Sequence, residues 1–197
     1  MTTSFLRKSK FWQFSSLAYL LIVLFGGFKS VNSEITWGER DIIWSDFQGK
    51  PKIYSKHAAE IAYAIKLNSV QISRDSLGVK IVAVFLCNDA WTKTASDTAL
   101  DHERRHFDIV EIYCRKMRKK LIENLSINTT KLNKEVATIF DSYKKECEKV
   151  QLQYDEETNH SLNYINQIKW NSKIEKELLN LEAFVEPMVL IKMPRNK

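Results

Sequence analysis

His102, Glu103 and His106 place two histidines four residues apart, with a glutamate directly after the first. Side chains four apart on a helix lie one above the other, so both imidazoles can reach a single ion. Zinc suits this pattern, because it accepts neutral imidazole nitrogens, keeps a fourth position for water and lowers that water's pKa towards about 7. Glu103 is placed to take the proton and return it to a leaving amine. The expected chemistry is hydrolysis of a peptide bond, with His102 and His106 as zinc ligands and Glu103 as the base that activates the bound water.

Stepping at about 100° per residue puts both histidines on one stripe with Ile109, Tyr113 and Met117, with Val110 and Leu121 close by. Arg104, Arg105, Asp108 and Arg115 fall on the opposite side. The stripe is the core-facing one, and burying two imidazoles and a carboxylate without partners is unfavourable by several kcal/mol. A metal removes that penalty.

A third ligand is needed. His160 lies in Tyr154-Asp155-Glu156-Glu157-Thr158-Asn159-His160, expected at the start of a third helix, and is favoured because it approaches from another direction. Glu157, one turn earlier, is the alternative as a carboxylate ligand, and His57 is expected to be a surface or packing histidine. Asp155 fits either an outer-sphere partner of a liganding imidazole or a helix N-cap. Tyr154 and Tyr164 are candidate oxyanion donors, with plain core packing as their other reading.

These residues need a scaffold. A strand is expected at 35–37 and a compact turn over 43–51, where tryptophans alternate with turn formers. Alternating apolar residues over 59–67 and a β-branched run over 79–86 predict two strands, joined by a hairpin with a long loop. Ser96 or Asp97 can cap a helix running to about residue 125, and a second helix is expected over 131–154. A third should begin near Asp155 or Thr158, a last one covers 173–183, and 188–193 forms a strand or docked tail. Strands first and helices after argue α+β, zincin-like, with a small antiparallel or mixed sheet packed against a long active-site helix and further C-terminal helices. The strand at 79–86 is the candidate edge along which an extended peptide substrate would pair.

The N-terminal stretch is set apart from this domain. Arg7, Lys8 and Lys10 precede an apolar run over 17–25, which is a charged region followed by a hydrophobic one. About 20 apolar residues are needed to span a bilayer, so a cleaved signal over 1–33 is expected, with an uncleaved anchor as the only membrane contact otherwise. The mature domain is then 34–197, exported to a periplasmic or extracellular space. Removing 1–33 takes away four of the 30 basic residues and none of the 24 acids, leaving 26 against 24 and a net charge of +2 instead of +6. A nucleic-acid reading, which needs a basic face, thereby loses its main support, and no nucleic-acid partner is expected. Export permits disulfides, and Cys114 with Cys147 would staple two helices. Unpaired cysteines packed as small hydrophobes are the equal alternative, with Cys87 left over in either case.

The chain resembles the bacterial DUF922 proteins, a domain of unknown function whose members are regarded as secreted zinc-dependent proteases. The resemblance rests on Ile35-Thr36-Trp37, on Trp44-Ser45-Asp46-Phe47-Gln48-Gly49-Lys50-Pro51, on Ala90-Trp91, on the segment around His102, Glu103 and His106, and on Tyr154 to His160. Ala90 and Ser161 depart from the pattern, which has serine and more commonly glycine there. The resemblance implies His102 and His106 as ligands, Glu103 as base and His160 as third ligand. The competing function is a non-catalytic exported module that binds metal or a partner. Glu103 separates the two, because a structural site has no need of a carboxylate beside an open coordination position.

Overall fold

A computed structural model of the chain describes residues 33–123 and 132–192. The expected signal segment falls outside them except for Ser33, and so does the end of the tail at Met193. The fold is α+β. Strand β1 spans Glu34–Thr36, β2 Ala59–Glu60, β3 Tyr63–Ser73, β4 Ser76–Leu86, β5 Trp91–Thr92 and β6 Met188–Lys192, with helices α1 at Asp97–Glu123, α2 at Leu132–Thr158 and α3 at Tyr164–Asn180. No helix among the described residues is long and apolar enough to cross a membrane.

The main sheet is antiparallel, with β4 at its centre. β3 pairs along one edge of β4, and β1 and β6 share the other. The run at 79–86 is therefore not the free edge expected from its sequence; both of its sides are taken. β3 and β4 also continue through the expected long loop, with Asn68 opposite Lys80 and Ser69 opposite Val79, to a turn between Ser73 and Ser76. Polar residues are tolerated there because that end of β3 is exposed. At Gly78 a Cβ would meet Met188 Sδ at 3.0 Å and Ile72 Cδ1 at 3.1 Å, so the missing side chain allows close cross-strand packing.

Alternation along β4 directs Val79, Ile81, Ala83 and Phe85 into the core, against Phe107, Ile109, Val110, Cys114 and Met117 of α1. Sixteen of the 27 residues of α1 are buried, so it is a central helix walled by the sheet, α2 and α3. Arg115, expected on an outward face, is buried for that reason. Its Nε donates to Glu111 Oε1 at 3.0 Å and its Nη1 to the Leu178 carbonyl at 2.8 Å.

Helix α2 runs past the expected break at Tyr154, because Tyr154 and Thr158 are both buried on its inner face. The Thr158 hydroxyl donates to the Tyr154 carbonyl at 2.6 Å. Asp155 is thus in the last turn of α2 and caps nothing. Asn163 caps α3, its Oδ1 accepting from Asn166 N at 3.2 Å, and α3 absorbs most of the helix expected at 173–183. Cys87, Cys114 and Cys147 are all buried free thiols, so no staple joins α1 to α2.

Candidate metal centre

His102 and His106 face inward one turn apart on α1. Their Nε2 atoms lie 3.2 Å apart and their rings stand perpendicular, with centroids 4.7 Å apart. Two ligands of one zinc at about 2.0–2.1 Å would be separated by roughly 3.3 Å in tetrahedral geometry.

Each ring is oriented from behind by a glutamine. His102 Nδ1 donates to Gln167 Oε1 at 3.1 Å, and His106 Nδ1 to Gln151 Oε1 at 2.5 Å. The amide orientations follow from their other bonds. Gln151 Nε2 donates to the His106 carbonyl at 2.9 Å, and Gln167 Nε2 donates to Tyr154 Oη at 2.6 Å and to Asn171 Oδ1 at 2.8 Å. Both carbonyl oxygens therefore point at the imidazoles and hold the proton on Nδ1. A neutral imidazole held this way carries its lone pair on Nε2, as in metal-binding histidines anchored by an outer acceptor.

The atom nearest both Nε2 atoms belongs to Asp155. Its Oδ1 is 3.0 Å from His102 Nε2 and 2.9 Å from His106 Nε2. Three potential ligand atoms thus converge from α1 and α2, the two imidazole nitrogens as hydrogen-bond partners of Asp155. Burial alone would raise the Asp155 pKa, but hydrogen bonds and charge from the two imidazoles hold it well below the carboxylate range. Burial likewise opposes charge on His106, yet Asp155 keeps its pKa above the ordinary histidine value. The pocket's own field favours positive charge.

His160 does not start a helix. It sits in a turn after α2, where Asn159, His160 and Ser161 all have positive φ, at 47°, 51° and 71°. This left-handed run is strained for residues other than glycine and brings His160 Nδ1 to 3.2 Å from Asp155 Oδ1. Ligand atoms of His102, Asp155 and His160 all lie within 4.8 Å of one another. His57, expected as a surface or packing histidine, is exposed and packs its ring on His160 with centroids 4.3 Å apart.

Glu103 is buried beside these groups, and its Oε2 accepts from Ile61 N at 2.9 Å. Burial pushes its pKa up, while the two imidazoles and the Ile61 N–H pull the other way. Ile61 follows β2, which pairs with β5; Lys93 N donates to the Ala58 carbonyl at 2.7 Å. A cavity of about 340 Å³ is lined by the histidines, Glu103, Asp155 and residues 57–61.

Comparison with known proteins bears on this stretch. Residues 87–161 match the model of a bacterial protein family of unknown function, DUF922. The match covers α1 and α2 and contains His102, Glu103, His106, Asp155 and His160. No curated protein and no solved structure matches the chain.

Within the DUF922 stretch, two other candidates are placed elsewhere. Tyr154 stacks on His102 at 4.5 Å, but its hydroxyl is engaged, donating to the His102 carbonyl at 3.3 Å and accepting from Gln167. Glu157 accepts from Trp170 Nε1 at 2.7 Å and ties α2 to α3. Tyr164, beyond the stretch, is exposed and does not line the cavity. Sequence reasoning missed Gln151 and Gln167. A signal for Gln151 exists, since Cys147, Gln151, Tyr154 and Thr158 form the buried stripe of α2 and an amide among them needs a partner.

Proposed function

We propose that this chain is an exported zinc-dependent hydrolase of peptide bonds. The reading is carried by the convergence of His102 Nε2, His106 Nε2 and Asp155 Oδ1, at 2.9–3.2 Å from one another, beside a buried glutamate in an open cavity. Two neutral nitrogens and one carboxylate oxygen are a donor set that fits zinc, and His160 lies against Asp155 on the open side. Zinc, when bound there, supplies Lewis acidity and makes water nucleophilic near neutral pH.

The chain's own groups do the rest. Gln151 and Gln167 hold the imidazoles in the tautomer that leaves Nε2 free. Glu103, oriented by the Ile61 N–H, takes a proton from the attacking water and delivers it to the departing amine. The substrate edge is residues 57–61 in place of β4. Ala59 and Ile61 alternate with residues bonded to β5, so the Ala59 N–H and C=O point the same way as the Ile61 N–H, towards the cavity. An extended peptide can pair there beside Glu103. The basic and apolar leader supports export. Against a non-catalytic metal module stands Glu103, since a closed structural site leaves a neighbouring base without work.

The test is digestion of labelled casein by the purified, zinc-loaded protein. Chelation should stop turnover and zinc restore it. Glu103→Ala should keep zinc and lose activity by about 10²-fold or more, whereas His102→Ala and His106→Ala should lose both. Unchanged turnover in Glu103→Ala would remove the proposed base.

A further inference from the structure

The four histidines form two pairs of similar shape. His102 and His106 have ring centroids 4.7 Å apart at an interplanar angle of 90°. His57 and His160 have centroids 4.3 Å apart at 76°. The first pair is buried and the second is exposed at the cavity mouth. Asp155 joins them, with the same Oδ1 near His102, His106 and His160. We propose that His57 and His160, with the Asp155 carboxylate as a shared ligand, form a second and weaker site for a divalent transition-metal ion at the mouth of the cavity.

Three observations carry this. His57 and His160 are in ring contact, His160 Nδ1 is 3.2 Å from Asp155 Oδ1 and all three residues line the same cavity, so three side chains of ligand type stand together there. A carboxylate has two oxygens and can bridge neighbouring ions, as in two-metal hydrolytic sites where the ions stand about 3.5–4 Å apart. The backbone is also held in an unfavourable conformation at three successive residues to keep His160 here, and strain of this kind gathers at functional positions. The cation class follows from the donors, since imidazole with one carboxylate selects zinc-like ions over calcium or magnesium. Solvent exposure of both rings makes this the weaker site.

The inference rests on the zinc reading only in taking Asp155 as the shared ligand, and its test needs no turnover. Co²⁺ is titrated into metal-free protein, followed by its visible absorption and by the bound metal after dialysis. Wild type should take one equivalent and then a second, with affinity lower by about tenfold or more. His57→Ala and His57→Gln should lose the second step and keep the first, with thermal unfolding of the metal-free forms unchanged. A single equivalent in wild type, a second step that survives both His57 variants, or loss of the first step in them would overturn the second site. One equivalent leaves the hydrolase reading intact, two equivalents without casein digestion leave the second site standing alone, and no bound metal removes both.

Discussion

Helix α1 buries two polar clusters that differ in the groups they bring together. In its second half Glu111 lies between two guanidiniums, 3.0 Å from Arg115 Nε and 3.0 Å from Arg118 Nη2. Arg118 Nη1 donates to the carbonyls of Phe184 and Val185, and Arg115 reaches that of Leu178. Opposite charges and backbone acceptors surround one another, which is how a buried ionic network holds α1 to the C-terminal segment. One to two turns earlier the pattern reverses. Two imidazole nitrogens and a carboxylate oxygen point at one spot, and with Gln151 and Gln167 accepting at Nδ1 each neutral imidazole would present a lone pair there. The same helix therefore carries one cluster that ties it to the C-terminal segment and one that, on the proposed reading, receives a cation, and burial by itself distinguishes neither.

The comparison can be broken by mutation. Glu111→Ala strands two buried guanidiniums and should destabilise the protein by about 3–5 kcal/mol, equally with and without zinc, as read by denaturant unfolding. A loss seen only in the zinc-loaded form would mean that the two clusters are one. Gln151→Leu should leave the fold intact and weaken zinc about 10–100-fold, measured by competition with a chromogenic chelator. An unchanged affinity would show that the glutamine does not set the tautomer of His106. The smallest effect is expected at Ser161, whose φ of 71° penalises any side chain. Ser161→Gly should stabilise by about 1 kcal/mol, seen as a higher melting temperature with metal binding kept.

Much of the first cluster was legible because a helix converts spacing into direction. The spacing of His102, Glu103 and His106, and the stripe through Ile109, Tyr113 and Met117, place them inward without further information. What could not be read depends on pairing or on a local break. β4 looks like any apolar strand, and its central place appears only once β1, β3 and β6 have found it. The run from Asp155 to Asn159 reads as a helix start, since Asp, Thr and Asn are cap formers, but the burial of Tyr154 and Thr158 carries α2 through it. The true break is the left-handed turn at 159–161, which no glycine marks in the sequence. From sequence Asp155 reads as an outer or capping residue for the same reason: its distance to both histidines requires α2 to lie across α1.

Zinc K-edge X-ray absorption of the protein loaded with one equivalent tests the central claim most directly. Two imidazoles and carboxylate or water oxygen at about 2.0–2.1 Å, with no sulfur at about 2.3 Å, are predicted, and Asp155→Ala should lose the bound metal. A spectrum without imidazole scattering, or one unchanged in His102→Ala, would contradict the account.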